Sequence, residues 1–159
     1  MIKWIGAFAA VLLSMSAVGA PLPYDEHADA RATLQQGLDA ARASGKDVLV
    51  VFGANWCPDC RELDKALHGR TASLIDARFV VVKIDVGNFD KNLDVVKRYG
   101  YPTSKGIPAA VVLSSDDQVL YATRAGELAD ARHMGDAGIY DFFTSVVPAR
   151  HQATRPAAP

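Results

Sequence analysis

Apolar positions follow two rhythms along this 159-residue chain. In "DARATLQQGLDAARASG", Ala32, Leu34, Leu38 and Ala41 recur near the helical period, and Gly45 stands where such a helix would stop. Gly37 sits inside that pattern and weakens it. The next stretch, "DVLVVFGANW", is apolar without alternation and rich in β-branched residues, which predicts a strand buried on both faces. From Pro58 the helical period returns, with Leu63, Ala66 and Leu67 on one face and charges on the other. "ARFVVVKIDV" reads as a second buried strand, and "KNLDVVKRYG" as a helix turning Leu93 and Val96 inward and closed by Gly100. "YPTSKGIP" is a loop with two prolines. It leads into "AAVVLSSDDQVLYAT", a hairpin turning at Ser115 to Asp117, and "AGIYDFFTSVV" is a last helix that stops at Pro148.

The order helix, strand, helix, strand, helix, strand, strand, helix defines an α/β domain. Helices between strands imply parallel crossovers, and the closing hairpin adds an antiparallel edge. The expected architecture is a mixed central sheet with helices on both faces and an extra helix at the N-terminal side.

The two ends follow other rules. Lys3 is the only charge before Asp25, Ile5 to Val18 is apolar apart from Gly and Ser, and Val18-Gly19-Ala20 offers small residues before Pro21. That pattern predicts a cleavable secretory signal over residues 1–20. The run falls short of the roughly 20 residues a membrane-spanning helix needs, which makes an uncleaved anchor the lesser alternative. Residues 21–148 form the expected domain, and "PARHQATRPAAP" ends the chain in a loose tail over 149–159. The predicted location is outside the cytoplasm, in a periplasm. Basic and acidic residues number 17 and 18 and are well mixed, which argues against nucleic acid as a partner.

Two cysteines, both in "NWCPDC", cannot make the disulfide framework of a small secreted scaffold. They fall where a buried strand hands over to a helix. Unpaired backbone N–H groups and the positive end of the helix dipole meet there and stabilise a thiolate. Cys57 would sit at the tip, partly exposed, with Cys60 one turn in and more buried. This placement suits disulfide exchange, in which Cys57 attacks and Cys60 displaces the substrate. Two other uses stay open. A structural metal site needs four ligands in paired spacings, whereas His27, His68, His133 and His151 are scattered, so copper on the lone pair is the form such a site would take. A purely structural disulfide would close too small a loop to constrain the unfolded chain much.

"FGANWCPDC", "KGIPA" some fifty residues later and the element order together resemble the thioredoxin superfamily. The helix before "GKDVLVVFGANWC" is similar to the secreted branch that includes the C-terminal domain of the bacterial thiol–disulfide interchange protein. The resemblance covers Asp25 to Val147 and implies a thioredoxin fold. It implies that Cys57 is the attacking cysteine and Cys60 the resolving one. Pro108 would be a cis proline packed against the disulfide, with the backbone of Ile107 pairing with a substrate chain. Trp56 would flank the thiol and limit its access to water.

Departures from the family pattern are informative. Thioredoxin carries a buried aspartate six positions before the attacking cysteine; here that position is Val51. Lys83 would match the lysine accompanying that aspartate and would lack its partner, unless it merely snorkels from a strand end. No base for Cys60 is assured. Asp59 opposes a thiolate on Cys57 and favours a reducing pair, or simply accepts N–H bonds in the first turn of its helix. Pro58 pre-sets the helical angle where no N–H is needed. Tyr101 to Lys105 lengthen the loop beside Pro108, and residues 128–136 form another irregular stretch holding His133 and Met134.

The sequence thus points to a periplasmic thiol–disulfide oxidoreductase acting as a reductant on disulfide-bearing proteins. It would draw electrons from a membrane or soluble redox protein and need no organic cofactor. The alternatives are a disulfide oxidase or isomerase on the same fold, a copper- or thiol-handling assembly factor, and a chaperone whose cysteines are incidental.

Overall fold

The computed structural model describes residues 21–146. The signal expected over 1–20, the tail expected over 149–159 and the helix stop at Pro148 lie outside them. Among the described residues no helix is long and apolar enough to cross a membrane.

Helix α1 spans Ala30–Ser44. Asp29 starts it by accepting the Arg31 and Ala32 N–H groups at 2.9 and 3.1 Å, and Gly45 ends it in the left-handed region at φ 69°. There follow β1 (Asp47–Gly53), α2 (Pro58–His68), α3 (Ala72–Arg78), β2 (Phe79–Asp85) and α4 (Leu93–Arg98). A 3-10 turn over Pro102–Lys105 precedes β3 (Ala109–Leu113), β4 (Val119–Ala122) and α5 (Ala131–Val146). The sheet order is β2-β1-β3-β4. As an inner strand, β1 is buried throughout, and its alternating side chains build two cores. Val48, Val50 and Phe52 pack with α1 and α4, while Leu49 and Val51 pack with α2, α3 and α5. Each such buried side chain contributes about 1.5–3 kcal/mol through the apolar surface it removes from water.

Several expectations need correction. Only β1 and β2 pair in parallel; β3 runs antiparallel to β1, with Ala109 opposite Phe52. The physical reason lies in α4. Its six residues rise only about 9 Å, far short of the roughly 23 Å a seven-residue strand covers, so the helix cannot carry the chain back along the sheet. The chain therefore enters β3 at the end where it left β2. Leu93 is half-exposed, and the inward face of α4 passes through Val95, Val96 and Tyr99. β2 lies at the sheet's edge and is only partly buried. The short α3 had no clear periodic signal. Residues 131–134, expected to be irregular, are helical; Gly135, at φ 62° and ψ 176°, separates them from the rest of α5.

Candidate active site

The chain leaves β1 through Ala54-Asn55-Trp56, a turn closed by the Cys57 N–H on the Ala54 carbonyl at 3.1 Å. Cys57 then caps α2 with its own sulfur, which accepts the Cys60 N–H at 3.1 Å. Pro58 occupies the first turn, where a missing N–H costs nothing. The Cα atoms of Cys57 and Cys60 are 5.3 Å apart and the two sulfurs are bonded as a disulfide. A helix start that points an N–H at a sulfur is suited to hold that sulfur as a thiolate once the bond is reduced.

Cys57 is only 3 % exposed and Cys60 1 %, so the expectation of a partly exposed Cys57 is corrected. Its cover comes from across the sheet. Because β3 is antiparallel to β1, the residues just before Ala109 arrive at the end of β1 where the cysteine turn begins. The Ile107 carbonyl oxygen lies 3.6 Å from Cys57 Sγ, and the Ile107–Pro108 peptide is cis. Trp56 immediately precedes Cys57 in the chain. Its indole N–H donates to the Gly87 carbonyl at 2.9 Å, its ring meets Phe89 edge-on at 6.3 Å, and it stays 53 % exposed. The lengthened loop forms the 3-10 turn, with Tyr101 exposed and left-handed at φ 57°.

Asp59 has a partner the sequence reading lacked. Its carboxylate accepts the Arg132 backbone N–H at 3.0 Å and the Arg132 Nε–H at 3.1 Å. It therefore caps the first turn of α5 rather than its own helix, which corrects the simpler expectation. Burial works against its charge, but the two bonds and the positive charge of Arg132 outweigh it and hold the carboxyl below the usual range. His133, next along, is exposed and pairs with Asp130. Met134 packs at the margin of the α2–α5 core.

Lys83 is not unpartnered either; it forms an ion pair with Asp64 of α2. Asp64 lies one turn beyond Cys60, an i,i+4 spacing that was legible in "CRELD" and marks a carboxylate on the cysteine's side of the helix. Val51 is buried in the apolar core, as its side chain requires. The residues that sequence reasoning missed are thus Arg132, Asp64 and, from the segment before α1, Tyr24. Among the described residues no three His, Cys, Asp or Glu side chains group as metal ligands.

A mixed four-stranded sheet, covered by helices on both faces and presenting a cysteine pair at a helix start, places the protein among the thioredoxin folds. Residues 29–115 match the Thioredoxin-like family, and the chain belongs to it. A disulphide isomerase from Xylella fastidiosa Temecula1 is 54 % identical, with a TM-score of 0.78 over 80 % of this chain and 98 % of that one. The thiol:disulfide interchange protein DsbD of Pseudomonas fluorescens is 32 % identical over 88 residues, covering 54 % of this chain and 14 % of the relative. A protein disulfide-isomerase of Medicago sativa is 30 % identical over 102 residues, covering 63 % and 20 %. The chain therefore spans a fifth or less of the length of these two curated relatives.

Proposed function

We propose that this protein is a thiol–disulfide oxidoreductase that reduces disulfides in other proteins. The observation that carries the reading is the Cys57–Cys60 disulfide at the start of α2, with its sulfur against the Ile107–Pro108 turn. In the reduced protein the Cys57 thiolate attacks one sulfur of a substrate disulfide, and the other substrate sulfur leaves as a thiolate. The Cys60 thiolate then attacks Cys57 Sγ and releases the second substrate sulfur, leaving the protein oxidised by two electrons. The Ile107 backbone offers a pairing edge for the substrate chain, and Trp56, next to Cys57, and Tyr101, in the loop leading to Ile107, supply exposed aromatic surface. Apolar burial of both cysteines penalises a thiolate and supports the reducing direction. Asp59 adds less to that direction than its position suggests, because Arg132 offsets its charge.

The location that fits is the periplasm, entered through the signal at residues 1–20. An oxidising compartment would require a dedicated electron donor, and a membrane redox protein exchanging dithiols is the partner of that kind. The test is the reduction potential, measured by equilibrating the mature protein with glutathione buffers. A value near thioredoxin's, about −270 mV, is expected; one near DsbA's, about −120 mV, would overturn the reducing direction.

A second reading, disulfide isomerisation, is favoured by likeness to two proteins named as isomerases. The reduced protein would then recover activity from a scrambled-disulfide substrate without being consumed. Stoichiometric consumption of its thiols would exclude that reading.

A further inference from the structure

A buried hydroxyl lies next to the cysteine pair and has no part in the exchange steps above. Tyr24 precedes α1 and is 3 % exposed. Asn55, in the turn that leads to Cys57, grips it by both backbone groups. Asn55 Oδ1 accepts the Tyr24 N–H at 2.9 Å, and Asn55 Nδ2 donates to the Tyr24 carbonyl at 2.8 Å. Nδ2 also donates to Glu26 Oε1 at 2.9 Å. The segment before α1 is thereby fastened to the turn that carries the cysteines, and the Tyr24 ring is directed over the end of β1. The residue beneath it is Gly53, and space demands that glycine. A Cβ on Gly53 would stand 2.2 Å from the Tyr24 hydroxyl oxygen and 2.9 Å from Cys60 Sγ. The hydroxyl and the sulfur therefore border the same small space.

We propose that the Tyr24 hydroxyl donates a hydrogen bond to the Cys60 sulfur in the reduced protein, stabilises its thiolate and so speeds the resolving step. This rests on the reading that Cys57 attacks and Cys60 resolves. In that step the Cys60 thiol gives its proton to water and its sulfur bonds to Cys57 Sγ. The bond from Cys57 to the substrate breaks, and the substrate sulfur leaves with the electron pair and takes up a proton from water. Tyr24 keeps its own proton throughout. Burial, followed by the charges of Asp64 and Asp85, pushes its ionisation above the usual tyrosine range. It is thus a donor and not a base. The charged groups of the elements packed around Cys60 are Asp64 of α2 with Lys83 of β2, Asp85 of β2 with Lys91, and Asp59 with Arg132. Each of these carboxylates is paired with a cation that offsets its charge. Val51, where thioredoxin has its buried aspartate, contributes no polar atom, and the neutral donor bordering Cys60 is Tyr24.

The test uses a disulfide of two thionitrobenzoate groups, mixed with the reduced protein while released thionitrobenzoate is followed by absorbance. The first release reports attack by Cys57 and scales with reagent. The second reports resolution by Cys60 and does not. In Tyr24→Phe, which removes one oxygen, the first release is expected to be unchanged. The second should slow about tenfold near neutral pH, the scale of a hydrogen bond to a charged group. The sign is set by the thiol. Loss of the donor raises the Cys60 pKa, so the deficit should close as pH rises through the thiol range. Asn55→Ala keeps the hydroxyl but loosens its holder; it should show the same pH-dependent slowing and serves if the first variant does not fold. A normal second release in both variants, or a slowing equal at every pH, overturns the Tyr24 role alone. A wild-type second release that scales with reagent would overturn the exchange reading and Tyr24 with it.

Discussion

The carboxylate between the two cysteines is one half of an ion pair, and its effect on the sulfurs depends on the other half. Arg132 holds Asp59 with a backbone N–H and a guanidinium N–H, so removing Arg132 leaves a buried carboxylate beside the pair with less to offset it. Arg132→Gln is expected to raise the Cys57 thiol pKa and make the disulfide more reducing. Asp59→Asn should move both the other way. The pH profile of Cys57 alkylation reads the first quantity, and an unshifted profile in both variants would sink the idea. The same pair makes stability depend on acid. Asp59's carboxyl titrates below its unfolded value, so its contribution is present above about pH 4 and is lost as pH falls through the folded value. Unfolding by urea at pH 7 and pH 3 should therefore show a smaller acid loss in Asp59→Asn than in the wild type. Arg132 is half in water, so the difference will be modest. Asp59's place in "WCPDC" was legible at once. Arg132 was not, because nothing in "LADARHMGD" says which of its residues meets another helix.

At the scale of elements, α1 shows where local preference ends and packing begins. Its N-cap is Asp29, a local contact, and Asp29→Ala should cost about 1 kcal/mol, seen as a lower urea midpoint. Gly37 tests the opposite case. By propensity alone, Gly37→Ala would stabilise the helix by about 1 kcal/mol. A Cβ there, however, would stand 2.3 Å from Val82 Cγ2 of β2. Overpacking of that kind costs about 1–3 kcal/mol, so the variant should be less stable than the wild type. A raised midpoint would mean that α1 can shift away from the sheet. Most elements followed from local pattern, since an unbroken β-branched run and helical spacing both show within a few residues. The short α3 and the buried face of α4 escaped, because six or seven residues hold too little of a period to set its phase.

For the whole molecule, the redox state of one bond and the stability of the fold are linked. An oxidant such as DsbA owes its power to a stabilised reduced form. The reducing direction proposed here requires the converse, so the oxidised protein should unfold at a higher urea concentration than the reduced one. A reduced form that is the more stable of the two would contradict the proposed direction independently of any substrate. Both cores bear on this bond. Cys57 and Cys60 belong to the α1–α4 core, while α2, the helix they open, packs its Leu63, Ala66 and Leu67 into the other.

The sequence by itself determined the order of the strands and of every helix but α3, most of the apolar face of α1 (Ala32 is exposed), that of α2, the fully buried β1 and the position of the cysteine pair at a strand-to-helix turn. These are encoded by neighbours within a turn or a strand, where periodicity and residue type act directly. The isomer of Pro108 belongs to a different level: its residues alone read as an ordinary strand-edge proline, and only resemblance suggested cis. Tertiary structure alone decided the antiparallel entry of β3, which brings the Ile107 carbonyl to Cys57. It also decided the partners Arg132 for Asp59, 73 residues away, and Asp64 for Lys83, 19 residues away. It set Tyr24 behind Cys60 through the space Gly53 leaves. Such contacts depend on where whole elements stop and turn, and a charge or a hydroxyl has no period from which its distant partner could be read.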